Sequence, residues 1–264
     1  MTYLAVVTGA AGAIGQEIAA QLAPTHDAVV LVDVDGEKLK TTHAKLESRV
    51  EGGHNRIIPE VCNITDPDAV KDLARRVSER GTVRTLVNNA GATHAASLHE
   101  MTVESWKAEV DLNLNAAFLC FQAFSESLKA CPSSPSVVNV ASANGLGMFG
   151  NPAYSAAKAG LIHLTRSIAV EYGRFGIRCN AVAPGTVKTP AWEQKAKANP
   201  NVLDEVKQWY PMQRIVEVGH VASTVAFLAS AQAGSITGVC LPVDCGLLAG
   251  APPVARAFAV SEYY

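Results

Sequence analysis

Blocks of like charge and long apolar runs are both missing from this sequence of 264 residues. No five consecutive residues share a charge, and the formal net charge is only −2. Proteins that bind nucleic acid or an anionic membrane surface usually carry a basic patch or stripe. A membrane-spanning helix needs about 18 or more consecutive apolar residues, and no stretch comes close. We therefore expect neither a nucleic-acid partner nor a membrane, and a chain that handles small molecules.

Paired cysteines are missing as well. The six cysteines form no CxxC pair and no histidine cluster lies beside them; they are Cys62, Cys120, Cys131, Cys179, Cys240 and Cys245. This scatter predicts neither a metal site nor a disulfide framework. Most lie among apolar residues, where buried free thiols are typical, and this favours the reducing cytoplasm. The apolar start at Met1–Thr8 lacks a basic n-region, so we do not expect a signal peptide.

Short β-branched runs alternate with segments of helix length along the chain. The predicted strands are Tyr3–Thr8, Ala28–Val34, Arg56–Asn63, Thr85–Asn88, Ser136–Ala141, Arg178–Ala183 and Val239–Val243. Several are nearly continuous apolar runs, which are typical of strands buried on both faces of a parallel sheet. The alternation predicts an α/β fold in which a doubly wound, seven-stranded parallel sheet is flanked by helices, a Rossmann-type three-layer sandwich. No internal repeat or linker divides the chain, so we expect one domain over residues 1–264.

Two segments depart from this pattern. Residues 190–211 are polar with interspersed aromatics and predict a helical insertion over the substrate, whereas the tail at 247–264 is either a loosely held terminus or docks on a neighbouring subunit. Long helices are predicted over Thr102–Ala130 and Tyr154–Phe175. The first carries apolar residues around most of its circumference, which indicates that something covers its outer side too. We therefore expect a homo-oligomer, with a tetramer favoured over a dimer.

A glycine-rich segment, Thr8-Gly-Ala-Ala-Gly-Ala-Ile-Gly15, follows the first predicted strand and precedes a helix. Glycines at such a turn let backbone N–H groups approach a pyrophosphate, and the helix N-terminus adds the positive end of its dipole. The strict GxGxxG pattern is not matched, so glycines that serve only the tight turn remain an alternative. The predicted cofactor contacts are Gly9, Gly12, Ala13, Ile14 and Gly15.

An acidic residue closes the second predicted strand. Asp33 lies 18 residues beyond Gly15, where a carboxylate can accept hydrogen bonds from both adenosine ribose hydroxyls and repels a 2′-phosphate. No Arg or Lys follows it before Lys38, so the sequence favours NAD over NADP. The alternative is that Asp33 or Asp35 only caps the next helix.

A phenol and an ammonium group lie four residues apart at Tyr154 and Lys158. On a helix they share one face, with Cβ atoms roughly 5–6 Å apart. A free tyrosine has a pKa of about 10, which is too high for a base at neutral pH. A neighbouring ammonium and the positive charge of an oxidised nicotinamide both favour the phenolate. The pair therefore predicts a tuned acid/base.

Further motifs accompany this pair in a fixed order. They are Asn88-Asn-Ala-Gly91, Asn113 in Leu112-Asn-Leu114, Ser142 after the fifth strand, Pro184-Gly-Thr-Val-Lys-Thr-Pro190, and Ile236-Thr-Gly238 with Val243-Asp244. With the glycine-rich segment, the series resembles the short-chain dehydrogenase/reductase family, of the compact type of about 250 residues, from about Leu4 to Gly246. The resemblance implies an NAD-dependent oxidoreductase that interconverts a secondary alcohol, or a sugar or diol hydroxyl, and its carbonyl by hydride transfer.

The resemblance also implies a role for each matching residue. Ser142 would hydrogen-bond the substrate oxygen, and Tyr154 would take or supply its proton. Lys158 would lower the pKa of Tyr154 and bind the nicotinamide ribose. Asn113 would bend its helix and hold a water that links Lys158 to solvent. The remaining cofactor contacts would be Cys62, Asn63, Asn89, Ala90, Gly91, Pro184, Gly185, Val187 and Thr189.

Three positions depart from the family pattern. Ala13 stands where glycine is common and adds a methyl group near the pyrophosphate. Asn63 stands where an aspartate often contacts the adenine amino group, and its side-chain oxygen can still accept that bond. Cys245 replaces a glycine in the late Asp-Gly-Gly element, which puts the local backbone in doubt.

The substrate side is the least determined by the sequence. The residues predicted to line it are His94, Asn144, Met148, Trp192, Trp209 and Tyr210, although His94 also fits a plain loop histidine. A sugar, a steroid, an aryl alcohol, a dihydrodiol and a 3-oxoacyl substrate all stay open. Two rival functions also remain: a dehydratase or epimerase that uses NAD transiently, and a non-catalytic NAD-binding regulator.

Overall fold

A seven-stranded parallel sheet forms the middle layer of the molecule. The computed structural model describes residues 1–53, 56–94, 96–189, 197 and 199–263. Along the chain the strands are β1 (Tyr3–Thr8), β2 (Ala28–Asp33), β3 (Ile57–Val61), β4 (Thr82–Asn88), β5 (Ser136–Val140), β6 (Arg178–Pro184) and β7 (Cys240–Val243). Their order across the sheet is β3-β2-β1-β4-β5-β6-β7, and every neighbouring pair is parallel. All the predicted strands are confirmed, with boundaries that move by at most three residues.

Helices cover both faces of this sheet. They are α1 (Ala13–Leu22), α2 (Gly36–Arg49), α3 (Pro67–Ser78), α4 (Val103–Val110), α5 (Ala116–Lys129), α6 (Pro152–Tyr172), α7 (Val202–Lys207), α8 (Val218–Ala229) and α9 (Pro252–Ala259). Helices α1, α2 and α8 bury apolar residues on one face, and α3, α5 and α6 do so on the other. This confirms the predicted class, a doubly wound α/β sandwich of three layers. Among the described helices, none is long and apolar enough to cross a membrane.

The central strands are apolar throughout because both of their faces are covered. In β1, Ala5 and Val7 pack into the cluster under α1 and α8, whereas Leu4 and Val6 pack into the cluster under α3 and α5. All four side chains are fully buried. Burying a valine or leucine side chain contributes about 1.5–3 kcal/mol, so each face of the strand supports its own helix layer.

The two largest differences between predicted and observed strand boundaries, at the start of β4 and the end of β3, have local causes. Strand β4 begins early because Thr82 pairs with Tyr3 of β1, and Arg84 lies over the ring of Tyr3 at 5.6 Å. A charged residue is therefore compatible with this strand. Strand β3 ends early because the side-chain oxygen of Asn63 accepts the backbone N–H of Thr65 at 3.1 Å, which starts a turn.

The predicted helix over Thr102–Ala130 is confirmed from Val103 to Lys129, although it is not a regular α-helix throughout. A π-helical turn at Asp111–Asn115 separates α4 from α5. The side-chain amide of Asn113 donates to the backbone carbonyl of Glu109 at 2.9 Å and to that of Ala92 at 2.8 Å. A side chain inserted into the backbone ladder in this way widens the turn.

The insertion and the tail each contain a short helix. Within 190–211 the structure describes α7 and its surroundings, whereas residues 190–196 and 198, with Trp192 among them, lie outside the described residues. The tail at 247–264 contains α9, whose Phe258 is 87% exposed. Both segments approach the carboxyl edge of the sheet.

The backbone at Cys245 keeps the shape that a glycine would favour. Its φ is 52°, and that of the following Gly246 is 90°, so both lie in the left-handed region. The carbonyl of Cys245 accepts the backbone N–H of Met212 at 3.2 Å, which fastens this turn to the segment after α7. The cysteine therefore preserves the late turn, although a β-carbon is disfavoured in this conformation.

A buried imidazole joins the start of the sheet to α1. His26 is 5% exposed, and its Nδ1 lies 3.1 Å from the carbonyl of Leu22. Arg84 Nε donates to Nε2 at 3.3 Å, which places the imidazole proton on Nδ1. Burial, helped by the charge of Arg84, lowers the pKa of His26 from 6.5 to about 4. The folded protein therefore keeps this histidine neutral.

We expect the free energy of unfolding to decrease as the pH falls from about 6.5 to about 4, because the unfolded state takes up a proton on His26 that the folded state refuses. The variant His26→Gln lacks this titration, so its stability should fall less over the same range. Urea unfolding at several pH values measures both curves. Parallel curves for the two proteins would contradict this account.

Candidate active site

The carboxyl ends of β1, β4, β5 and β6 meet at one edge of the sheet, beside the point where the strand order reverses. Ligands of open α/β sheets bind at such a switch point. Two adjoining cavities lie here, one of about 700 Å³ and one of about 150 Å³. They share Ile14, Ser142, Tyr154, Gly185 and Val187. The predicted cofactor and catalytic segments therefore come together in one cleft.

The glycine-rich loop leaves the N-terminus of α1 open. Gly12 precedes the helix, no described side chain caps it, and its first turn carries no acidic residue. Unpaired N–H groups at a helix start favour an anion, so this end fits a pyrophosphate. The other glycines are needed for packing: a Cβ on Gly15 would lie 2.3 Å from the carbonyl oxygen of Gly9, and one on Gly9 would lie 2.7 Å from Ala90 Cα.

Asp33 holds this loop from the end of β2. Its carboxylate accepts the backbone N–H of Ala11 at 2.9 Å and that of Asp35 at 3.1 Å. Asp35, and not Asp33, caps α2, since its side chain accepts the N–H of Lys38 at 3.0 Å. The ammonium of Lys38 also pairs with Asp35 at 2.8 Å. Asp33 thus lies beside the open helix start, and each of its oxygens keeps a lone pair for another donor.

At the expected adenine side of the cleft, the Asn63 side chain has a structural role besides the predicted adenine contact. Cys62 is buried, whereas Asn63 is exposed. The oxygen of Asn63 also accepts the hydroxyl of Thr65 at 2.8 Å, in addition to the backbone bond that ends β3. This oxygen therefore stabilises the turn before α3, a role that its family position does not reveal.

Thr8 is a site residue that sequence reasoning missed. Its hydroxyl oxygen accepts the backbone N–H groups of Asn89 at 3.0 Å and Ala90 at 3.1 Å. The amide of Asn89 donates in return to the carbonyls of Thr8 and Gly9, at 3.0 and 3.1 Å. The ends of β1 and β4 are fastened together by these bonds. The available signal was a hydroxyl residue directly before the first glycine.

Ser142, Tyr154 and Lys158 form a compact cluster at the junction of the cavities. Ser142 follows β5, and its hydroxyl hydrogen-bonds the Tyr154 phenol. Helix α6 presents Tyr154 and Lys158 on the same face, with Lys158 Nζ 5.5 Å from the centre of the phenol ring. Lys158 is 2% exposed and donates to the carbonyl of Val140 at 2.8 Å. The structure therefore brings together the three residues that the sequence predicted.

Burial dominates the acid–base properties of this cluster. It raises the pKa of Tyr154, and the hydrogen bond from Ser142 offsets part of that rise. Burial also lowers the pKa of Lys158 to about 8. That Lys158 lowers the pKa of Tyr154 stays a prediction, since burial sets the net upward direction of the shift of the phenol pKa.

Asn113 faces the same place from the π-helical turn. Its side-chain oxygen is buried and has no hydrogen-bond partner among the described residues. A Cβ on Gly91 would lie 2.6 Å from this oxygen and 3.3 Å from Lys158 Nζ. The amide oxygen and the ammonium thus border one small space, which only a glycine at position 91 leaves open.

The substrate side is only partly as predicted. Asn144, Trp209 and Tyr210 line the larger cavity. Met148 is 64% exposed and His94 is a surface loop residue, so both lie outside the lining. The lining residues that sequence reasoning missed are Thr93, Ala143, Phe149, Asn151, Thr186, Val206, Leu247 and Ala251. The last two belong to the tail, and their presence depends on how the tail folds back.

Comparisons with known proteins establish the family. A family model described as Enoyl-(Acyl carrier protein) reductase matches residues 9–248. A cis-4-hydroxycyclohexanecarboxylate dehydrogenase from Sinomonas cyclohexanicum is 38% identical over 249 residues, which cover 93% of this chain and 96% of that protein. The crystal structure of an oxidoreductase of the short-chain dehydrogenase/reductase family from Burkholderia thailandensis is 38% identical, with a TM-score of 0.91 and coverage of 100% of both chains.

A third similar protein carries a cofactor in its solved structure. An actinorhodin polyketide ketoreductase with NADPH is 30% identical, with a TM-score of 0.86 over 93% of this chain and 97% of its own. These similarities extend over nearly the whole chain and agree with the order of motifs. The chain belongs to the short-chain dehydrogenase/reductase family and is an oxidoreductase of that family.

Removal of the buried ammonium should make the protein more stable. We expect Lys158→Met to raise the free energy of unfolding at neutral pH by about 1 kcal/mol, because the lost desolvation cost exceeds the lost bond to Val140. The gain should shrink between pH 8 and pH 10.5, where the folded lysine has already lost its proton and the unfolded one has not.

Urea unfolding measures this change. The control is Lys71→Met on the exposed side of α3, which should alter stability by less than about 0.5 kcal/mol. A less stable Lys158→Met protein would show that the buried ammonium contributes to folding instead of opposing it.

Proposed function

We propose that this protein is an NAD-dependent oxidoreductase that interconverts a secondary alcohol and its carbonyl, with Tyr154 as the acid/base. The observation that most supports this proposal is the position of the Tyr154 phenol, which borders both cavities. The phenol accepts a hydrogen bond from Ser142 and lies beside the buried ammonium of Lys158. A phenol so placed can exchange a proton with an oxygen bound in the larger cavity.

In the proposed reaction, the side chains around Tyr154 bind the substrate oxygen and move its proton. A nicotinamide dinucleotide, when bound, accepts or supplies the hydride at the carbinol carbon. In oxidation, Ser142 donates to the substrate oxygen while the ionised Tyr154 takes the hydroxyl proton; in reduction, the neutral phenol returns it. Lys158, with Asn113 across the space beside Gly91, leads the proton away from the phenol. The cleft holds these groups in fixed positions, which accounts for a large part of the catalysis.

The open helix start and Asp33 support the choice of NAD. The uncapped N-terminus of α1 fits the pyrophosphate, and Asp33 adjoins it with acceptor capacity for two ribose hydroxyls. A 2′-phosphate would meet the negative charge of Asp33. The nearest following cation, Lys38, is paired with Asp35. Relatives that carry NADPH exist in the family, so the acidic residue is the deciding feature.

The larger cavity favours a compact ring alcohol. The described residues that line it include no charged side chain. Phe149 and Trp209 offer flat apolar surfaces, and Asn144 and Asn151 offer amides. Rings pack well on aromatic faces, and amides bind hydroxyl or carbonyl groups. The relative from Sinomonas is named for a cyclohexane-ring alcohol that also carries a carboxylate, so it supports the ring and the hydroxyl but not the absence of charge.

We also propose a homo-oligomer in the cytoplasm. All six cysteines are free thiols, as a reducing compartment allows. Trp106 and Phe118, on the outer side of α4 and α5, are 39% and 45% exposed, which is consistent with a surface that a second subunit covers.

The function is tested by NAD reduction over cyclic secondary alcohols, aryl alcohols, sugars and 3-hydroxyacyl thioesters. We expect net NADH formation, fastest with uncharged ring alcohols, and loss of turnover by at least about a hundredfold in Tyr154→Phe, because general acid/base catalysis contributes about that much or more. Binding of NADH to the variant, measured by fluorescence, should be nearly unchanged.

The matched control is Tyr172→Phe, at the far end of α6. Normal turnover by Tyr154→Phe would refute the proposed mechanism. Binding of dinucleotide without net NADH formation from any alcohol would favour a non-redox enzyme or a regulator instead.

The cofactor preference is tested at the end of β2. We expect Asp33→Asn to raise the KM for NAD by about tenfold and to reduce the preference over NADP, since hydrogen bonds to a charged group contribute about 1.5–3 kcal/mol and the repulsion of a 2′-phosphate disappears. Initial rates with both cofactors measure this. The control Glu126→Gln removes an exposed carboxylate from α5 and leaves the Lys38–Asp35 pair in place, so its preference should stay that of the wild type. Equal preference in Asp33→Asn and the wild type would remove Asp33 from cofactor selection.

A further inference from the structure

Among the described residues, four hydrogen bonds hold the loop that follows β6. This loop, Pro184–Thr189, carries the expected nicotinamide contacts and borders both cavities. Three of the bonds join backbone atoms: Gly185 N–H to Val243 O at 3.0 Å, Lys188 N–H to Val216 O at 2.9 Å, and Val216 N–H to Thr186 O at 2.9 Å. The fourth uses a side chain, since Thr186 N–H donates to the phenol oxygen of Tyr210 at 2.8 Å.

Tyr210 is fixed tightly at this position. It is only 2% exposed, although it was predicted as a substrate contact. A Cβ on Gly185 would lie 3.1 Å from its phenol oxygen and 3.2 Å from its Cε1, so the ring packs directly on the loop backbone. The buried ring thus places its phenol oxygen as the acceptor for the N–H of Thr186.

The same residue ends the segment that closes the substrate cavity. Tyr210 follows α7, and its backbone N–H donates to Lys207 O at 3.0 Å. Val206 and Trp209, which precede the two bonded residues in the sequence, line the larger cavity. One side chain therefore joins the substrate lid around α7 to the loop beside the expected nicotinamide.

We propose that Tyr210 is a positioning residue that holds the Pro184–Thr189 loop in the conformation that binds the nicotinamide half of the cofactor. The inference rests on the proposed function, because it takes that loop as the nicotinamide contact. Tyr210 touches the cofactor loop and not the reacting atoms. Its hydroxyl contributes to nicotinamide binding through Thr186, and leaves the adenosine end untouched.

The test is Tyr210→Phe, which keeps the ring and removes one acceptor. We expect the Kd for NADH, measured by fluorescence titration, to rise about tenfold, because the Thr186 N–H without its acceptor lets the free loop leave the binding conformation, which NADH must then restore. The Kd for ADP-ribose, which lacks the nicotinamide, should change less than about twofold. The KM for NAD should rise in parallel with the Kd for NADH, and the pH profile, which Tyr154 and Lys158 set, should keep its wild-type shape.

Tyr172→Phe is the matched control, since it removes a phenol hydroxyl at the end of α6, where the ring packs on Phe121 and not on the Pro184–Thr189 loop. Wild-type NADH affinity in Tyr210→Phe would overturn the inference, and so would an equal weakening of NADH and ADP-ribose, which would indicate a general structural role. Failure of the wild type to bind NADH would instead refute the proposed function. The two failures are therefore distinguishable.

Discussion

The ammonium group of Lys158 sets the constraint that the rest of the site must satisfy. It is held out of water, which lowers its pKa to about 8, and it is tied to the end of β5 through the carbonyl of Val140. The ammonium lies near the ring of Tyr154, and it borders one small space together with the Asn113 side-chain oxygen, which has no hydrogen-bond partner among the described residues. A buried charge is costly, so β5, α6 and the π-helical turn must all be in place for it to be tolerated. The acid/base cluster therefore exists only where the folded sheet edge brings these three elements together.

The loops around this cluster are positioned by side chains that come from neighbouring segments. Thr8 and Asn89 fasten the ends of β1 and β4 to each other, and Asp33 fastens the glycine-rich loop to β2. Tyr210 does the same for the loop after β6. In each case one polar side chain accepts a loop N–H that would otherwise be unpaired, and this bond offsets part of the entropy lost when the loop backbone is ordered. A rigid cradle for an extended ligand can be built in this way on a generic α/β sheet.

The substrate cavity is assembled on a different principle. Its walls come from the loop after β5, the segment around α7 and the start of the tail, which are distant in sequence and carry little regular structure. Phe149, Trp209 and Leu247 meet there only because the sheet edge gives these segments a common surface. Such loops tolerate sequence change, so one scaffold can serve many substrates while the proton-transfer groups stay in place.

The sheet and its flanking helices could be predicted from apolar periodicity, which is local, and the Ser142–Tyr154–Lys158 cluster could be predicted from motifs at strand ends, which the parallel topology gathers. The resemblance implied a bend at Asn113 but not its π-helical form, and nothing in the sequence indicated the turn made by Asn63, the exposure of Met148 or the burial of Tyr210. These depend on hydrogen bonds between residues remote in the chain, or on competition between a side chain and the backbone for one partner. Even the pKa of Tyr154 follows this division, since the four-residue spacing fixes its neighbour while burial, a property of the whole fold, governs the direction of its shift.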